Sequence, residues 1–204
     1  MGSILYVAAS PRQTDSVSRR FAGVVLARLL AGLPGACLVV RDLVADPVRP
    51  PDAAFTRAIL APPVPDHPAL ATSEALITEL EAADAVLIAT PMHNFTVPAV
   101  LKAWIDQIVR IHRTFSSTPM GKVGRLPDRP VYLVVTSGGW FTRPSPAGAP
   151  PQPDFLTSYL RAIFETIGLR SLTVLPLEGV TRGADALADA WGRAMALLDD
   201  ALPP

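Results

Sequence analysis

Residues Ala85 to Arg110 read AVLIATPMHNFTVPAVLKAWIDQIVR. An unbroken apolar run, Ala85-Val86-Leu87-Ile88-Ala89, gives way to Pro91-Met92-His93-Asn94-Phe95, and a helical pattern restarts near Pro98. A continuous apolar run of strand length fits a strand covered on both faces, whereas a half-exposed strand would alternate. A plain surface turn would be built from Gly, Asn, Asp and Ser. This one sets a Met, a His and a Phe around a single Asn. The helix that follows, expected over Pro98 to Val109, has proline in its first turn, where a missing N–H costs nothing.

The same strand-then-helix unit recurs along the chain. Apolar runs of strand length lie at Ile4 to Ala8, Cys37 to Val40, Ala85 to Ala89, Val131 to Val135 and Leu172 to Leu175. Helical stripes lie between them: Val17, Phe21, Val24, Val25 and Leu29, then a helix over Ser73 to Ala83. Further on come Leu156, Leu160, Ile163, Phe164 and Ile167, stopped by Gly168, and finally Leu187, Ala190, Trp191, Ala194, Leu197 and Leu198. Phe21, Trp104 and Trp191 read as core. Strands that alternate with helices need right-handed crossovers and form a parallel sheet with helices on both faces. The expected fold is α/β, a flavodoxin-like doubly wound sheet of five parallel strands in the order 2-1-3-4-5. It forms one domain over residues 1–204, with a ligand crevice at the carboxyl ends of strands 1 and 3. Asp46 to Pro68 holds seven prolines and Trp140 to Pro153 holds five. Segments this long are read as stiff covers, lids or interface arms.

Composition narrows the function. Half of the 204 residues are hydrophobic, and 18 basic residues balance 18 acidic ones. The absence of a basic excess argues against nucleic-acid binding. It also weighs against a small electron shuttle, a role often served by a one-signed surface. Cys37 is the sole cysteine, so no intrachain disulfide can form, and its apolar surroundings suggest a small core residue. The N-terminal MGSILYVAAS reads as a first strand and not a signal peptide, and no apolar run approaches a membrane span. A soluble cytoplasmic protein is expected. His67 and His112 have no Cys or His partners at ligand spacing, so no metal is expected.

Three loops at one sheet edge could carry chemistry. After strand 1, Ser10, Thr14, Ser16 and Ser18 bring hydroxyls to the start of a helix, whose free N–H groups suit a dianionic phosphate; an ordinary helix cap would also use Ser16. No G-x-G-x-x-G and no G-K-[ST] is present. After strand 3, Met92 and Phe95 could pack on a flat ring while Asn94 and nearby amides bond its polar edge, or they could simply plug the sheet end. After strand 4, Thr136-Ser137-Gly138-Gly139 offers glycines that let backbone N–H groups approach a ligand. One loop suited to phosphate and two suited to a planar ring describe a flavin mononucleotide site.

The residues that carry this reading also resemble a known family. Ser10 with Ser16-Val17-Ser18, Pro91-Met92-His93-Asn94-Phe95 with Pro98, Leu101 to Asp106, Arg113-Thr114-Phe115, Gly121 to Gly124 and Thr136 to Gly139 are similar to the FMN-dependent NADH-azoreductases. Those enzymes also act as NADH:quinone oxidoreductases. The likeness extends to Tyr159-Leu160 and Glu178-Gly179. It implies phosphate contacts from Ser10, Ser16, Val17 and Ser18, ring and ribityl contacts from Met92, His93, Asn94 and Phe95, and further ring contacts from Thr136, Ser137, Gly138 and Gly139. It also implies a homodimer with active sites at the interface, its substrate pocket completed by Phe115 and, from the partner, residues near Phe155 or Tyr159. The sequence departs from the family in having His93 where Tyr is usual, and in the proline-rich insert after Gly139.

The mechanism so implied is ping-pong. NADH or NADPH passes hydride to flavin N5, the nucleotide leaves, and a quinone or azo compound takes hydride from the same atom. No side chain is required as a base, and His93 is a candidate proton donor or ring-packing residue. The alternatives are a flavin-binding electron carrier or redox-regulatory module, and a specialised biosynthetic flavin reductase on the same scaffold.

Overall fold

A computed structural model describes residues 2–62 and 64–203. Met1, Pro204 and Pro63, the last within the first proline-rich stretch, therefore lie outside the described residues. Seven strands and six helices follow one another: β1 (Ser3–Ala8), α1 (Val17–Gly32), β2 (Cys37–Asp42), α2 (Ala53–Leu60), α3 (Ala71–Ala82), β3 (Ala85–Pro91), α4 (Ala99–Ile108), β4 (Phe115–Thr118), β5 (Gly121–Gly124), β6 (Val131–Ser137), α5 (Leu156–Ile167), β7 (Leu172–Glu178) and α6 (Ala184–Ala201). The main sheet runs β2-β1-β3-β6-β7, every pair parallel. That is the flavodoxin-like order expected from the sequence.

The unbroken apolar runs divide residue by residue between the two faces, because successive strand side chains point oppositely. Leu5, Val7, Val86, Ile88, Val131, Leu133 and Val135 join a core built with α3, α4 and α5. Ile4, Leu87, Tyr132 and Val134 join a second core with α1 and α6. Trp104 of α4 is fully buried in the first, where truncation to alanine would cost about 3–5 kcal/mol. In the second, buried Phe21 meets Trp191 edge to face, their ring centres 4.9 Å apart, though Trp191 is only half-buried at the margin of this core and not within it as expected. Gly168 ends α5 in the left-handed conformation, as its position predicted, and its N–H donates to Phe164 O and Glu165 O. Edge strand β7 accommodates Pro176, which a central strand could not.

Two further expectations are corrected, and one element was not foreseen. Cys37 is exposed, because β2 is an edge strand on which Leu38 and Val40 also face solvent; it is no core residue. The first proline-rich stretch is not only a cover, since it contains α2, capped where Asp52 accepts the Phe55 N–H at 2.8 Å. Between α4 and β6 lies an antiparallel hairpin, β4–β5, that four-residue strands without a regular apolar pattern did not announce. Among the described residues no helix is long and apolar enough to cross a membrane.

Candidate functional site

Parallel order places the loops after β1, β3 and β6 along one edge. Hydrogen bonds lock them together: the Ala9 N–H donates to Ala89 O at 2.9 Å, and the Met92 N–H to Thr136 O at 2.8 Å. The three loops read from the sequence as cofactor-binding are therefore neighbours, although nearly 130 positions separate Ser10 from Gly139.

In the β1–α1 loop, Ser10, Ser16 and Ser18 are all buried. Ser16 caps α1 by accepting the Arg19 N–H at 3.3 Å, and its Oγ lies 3.0 Å from Ser18 Oγ. The N–H groups of Val17 and Ser18 find no acceptor among the described residues. Buried hydroxyls beside free amides at a helix N-terminus fit a phosphate dianion. Thr14 instead projects from an exposed 3-10 turn, Gln13–Asp15, and is not part of this cradle.

Arg19 secures the loop from behind. Its guanidinium donates to both Asp42 carboxylate oxygens, at 2.7 and 2.8 Å, and to Ser10 O at 3.1 Å. The paired guanidinium, helped by the Val44 and Ala45 N–H groups against partial burial, holds the Asp42 carboxyl at about 2. Arg20 turns away over the Trp191 ring, and Arg12 is exposed.

The β3–α4 turn is tight. His93 and Thr96 exchange backbone hydrogen bonds of 2.9 and 3.0 Å around Asn94 and Phe95, whose φ angles are 48° and 69°. Two consecutive positive φ values define a type I′ turn. In a bulky residue such as Phe95 this conformation costs on the order of 1 kcal/mol or more. Phe95 is nevertheless exposed, as are His93 and Asn94, with Met92 half-buried behind them. Strain held in an exposed aromatic turn is characteristic of a ligand clamp.

The loop after β6 departs from expectation. Thr136 and Ser137 are buried, but one of the two glycine amides read as ligand donors is already used: the Gly139 N–H bonds Ser137 Oγ at 3.2 Å. The reason for a glycine is also different. A Cβ on Gly139 would run into the side-chain amide of Gln152, and one on Gly138 would approach Thr181 Oγ1 to 2.9 Å. Gln152 comes from the second proline-rich stretch and was not recognised as part of the site. Its Nε2 donates to Ser137 Oγ at 2.9 Å and to Met92 Sδ at 3.2 Å, joining two of the three loops. Its own N–H closes the stretch onto Trp140 O at 2.8 Å. Buried Glu178 completes the support by accepting the Phe141 and Thr142 N–H groups, both at 2.6 Å. A polar residue among prolines is too faint a signal to have singled out Gln152.

The three expected substrate-pocket aromatics separate. The Phe155 N–H donates to Phe95 O at 3.0 Å, and Tyr159 borders an apolar hollow with Thr96, Val97, Ala99 and Lys102, so both adjoin the site within one chain. Burial raises the Tyr159 phenol above its ordinary range, with Lys102 opposing. Phe115 is buried in β4 and lies elsewhere, because α4 carries the chain away from this edge by about 15 Å at 1.5 Å per residue.

Fold and loop placement define a flavodoxin-like protein, and residues 2–199 match the family described as flavodoxin-like fold. The chain is 47% identical over 197 residues, 95% of its length and 94% of the relative's, to FMN-dependent NADH:quinone oxidoreductase 2 of Cupriavidus pinatubonensis. It is 46% identical over 187 residues, 92% of this chain and 89% of the relative, to FMN-dependent NADH:quinone oxidoreductase 4 of Pseudomonas fluorescens. The chain belongs to the FMN-dependent NADH:quinone oxidoreductase family. Its fold is shared with a Bacillus anthracis FMN-dependent NADH-azoreductase solved in complex with FMN, at a TM-score of 0.79 and 22% identity over 98% of this chain and all of the other.

Proposed function

We propose that this chain binds FMN across the edge formed by β1, β3 and β6 and catalyses NADH-dependent reduction of quinones and azo compounds. The relatives' names give the cofactor and the quinone activity, and the azoreductase neighbours extend the reading to azo bonds. The observation that carries it is the buried Ser16–Ser18 hydroxyl pair, beside the first amides of α1, on the same edge as the strained Phe95 turn.

When bound, FMN supplies acceptance of hydride from NADH and its delivery to the acceptor, the two reactants using one pocket in turn. Ser10, Ser16, Val17 and Ser18 hold the phosphate. Met92, His93, Asn94 and Phe95 orient the ring, with His93 assigned to packing. Thr136, Ser137, Gly138 and Gly139 line its polar edge. The N–H groups of Gly138, Asn94 and Phe95 have no partners among the described residues. They are the donors we assign to ring heteroatoms, where fixed dipoles stabilise developing negative charge.

Phe95 and Phe155 leave 43% and 62% of their surfaces exposed side by side. Such a pair suits burial by a second copy, and we read the enzyme as a homodimer with its active sites at the interface. The exposed Cys37 thiol suits a reducing compartment, and we assign the enzyme to the cytoplasm.

The test is anaerobic reconstitution with FMN followed by NADH. Loss of the yellow absorbance and its rapid return on adding a quinone are expected. A colourless protein that refuses FMN refutes the site; one that binds FMN but ignores NADH is a carrier.

A further inference from the structure

Beneath the second proline-rich stretch, a cavity of about 460 Å³ opens beside Gly139 and is walled by Trp140, Pro146, Pro150, Gln152 and Arg182. That size suits a small aromatic ligand. Trp140 is a fixed platform. Its indole edge lies so close to Gly179 that a Cβ there would come within 2.8 Å of Cζ2, and Gly179 holds φ at +71°. Arg182 sits over that ring, 6.0 Å from its centre. Its Nε donates to Gly138 O at 3.3 Å, and among the described residues it makes no ion pair. Nearby Arg143, by contrast, is engaged by Asp189 at 3.1 Å and faces Glu178 at 3.7 Å. Gln152 gives this cavity and the ring-side loops a common wall, because it contacts Ser137 and Met92 while lining the hollow. Prolines fix the remaining wall, so little order is lost when a ligand enters.

We propose that this cavity selects among electron acceptors. It takes an anionic substituent, a carboxylate or sulfonate, on the Arg182 guanidinium and stacks the aromatic ring bearing it against Trp140, while the reducible part of the molecule reaches the Ser137–Gly139 loop. One uncompensated cation matches one anionic substituent better than it matches the two negative charges of a dinucleotide pyrophosphate, which is why the acceptor and not NADH is assigned here. Planar guanidinium pairs a carboxylate through two parallel donors, and the aromatic face adds a cation–π contribution. The inference rests on the flavin-dependent activity proposed above.

The test compares a carboxylated azobenzene with its uncharged methyl ester as acceptors, in the FMN-loaded wild type and in Arg182→Gln. The ratio of kcat/KM for the anionic over the neutral dye should fall about tenfold in the variant, carried by KM and partly restored by Arg182→Lys. An unchanged ratio overturns the proposal. So does a rise in KM for NADH with both dyes slowed equally, which would make the cavity a nucleotide site. If the wild type turns over neither dye, the azo-reducing part of the activity proposed above has failed on its own. Equilibrium binding of the carboxylated dye then decides the cavity: tighter binding to wild type than to Arg182→Gln supports it, and equal binding refutes it.

Discussion

The Ser10–Ser18 loop and the Met92–Thr96 turn sit on the same sheet edge and are held by different means. The first is a local device. A helix start, three buried serines and the Arg19–Asp42 pair supply nearly everything it needs from two adjoining strands and one helix. The second depends on distant chain. Its backbone is bonded to Thr136, its Met92 to Gln152 sixty residues on, and its Phe95 carbonyl to Phe155. A phosphate is recognised by hydrogen-bond donors that one helix end can present together, whereas a broad ring needs walls from several directions.

The largest effect should come from the local device. Replacing Ser16 and Ser18 together by alanine removes two hydroxyls from the proposed phosphate and should weaken FMN about 100-fold, read by flavin fluorescence titration. The lost cap should also lower apo stability by about 1 kcal/mol. Unchanged flavin affinity would erase the contrast between the two regions.

Next, Phe95→Gly should separate strain from binding. Relief of the positive φ should raise apo stability by about 1 kcal/mol in chemical denaturation, while loss of the aromatic wall weakens FMN about tenfold. A destabilised apo variant would mean that the turn is not strained.

Acid should act on the local device through Asp42. The Asp42 carboxyl titrates at about 2 when folded, below its ordinary value near 3.8. The pair therefore stabilises fully above about pH 4, and that contribution is lost as pH falls toward 2. Because the pair is partly solvated, its contribution is on the order of 1 kcal/mol. The stability gap between wild type and Asp42→Asn, followed by denaturation against pH, should close over that window; a gap constant down to pH 2 would contradict the pairing.

The smallest effect is expected from Gln152→Ala. It should reduce stability by about 0.5–1 kcal/mol and loosen the Trp140–Pro153 stretch, seen as faster limited proteolysis there, with FMN weakened only a few-fold. Proteolysis at the wild-type rate would show that Gln152 does not hold the stretch in place.

Much of this molecule was legible in its residues. The strand runs, the sheet order, the Gly168 stop and the grouping of Ser10, Met92 and Gly139 at one edge follow from periodicity and the rules of parallel connection. The β4–β5 hairpin was missed because its strands are too short for a period to show. Helix α2 was missed because the surrounding prolines hid the Asp52 cap.

What sequence alone determined is whatever repeats at short range: strands, helices, the caps between them and the chemistry of each loop, because backbone geometry imposes those periods locally. Only the tertiary structure decided that Cys37 faces solvent, that Gln152 joins two loops, that Phe115 leaves the edge while Phe155 stays, and that Arg182 sits over Trp140. Those outcomes depend on which distant surfaces meet when two cores close on one sheet, and no local period encodes that meeting.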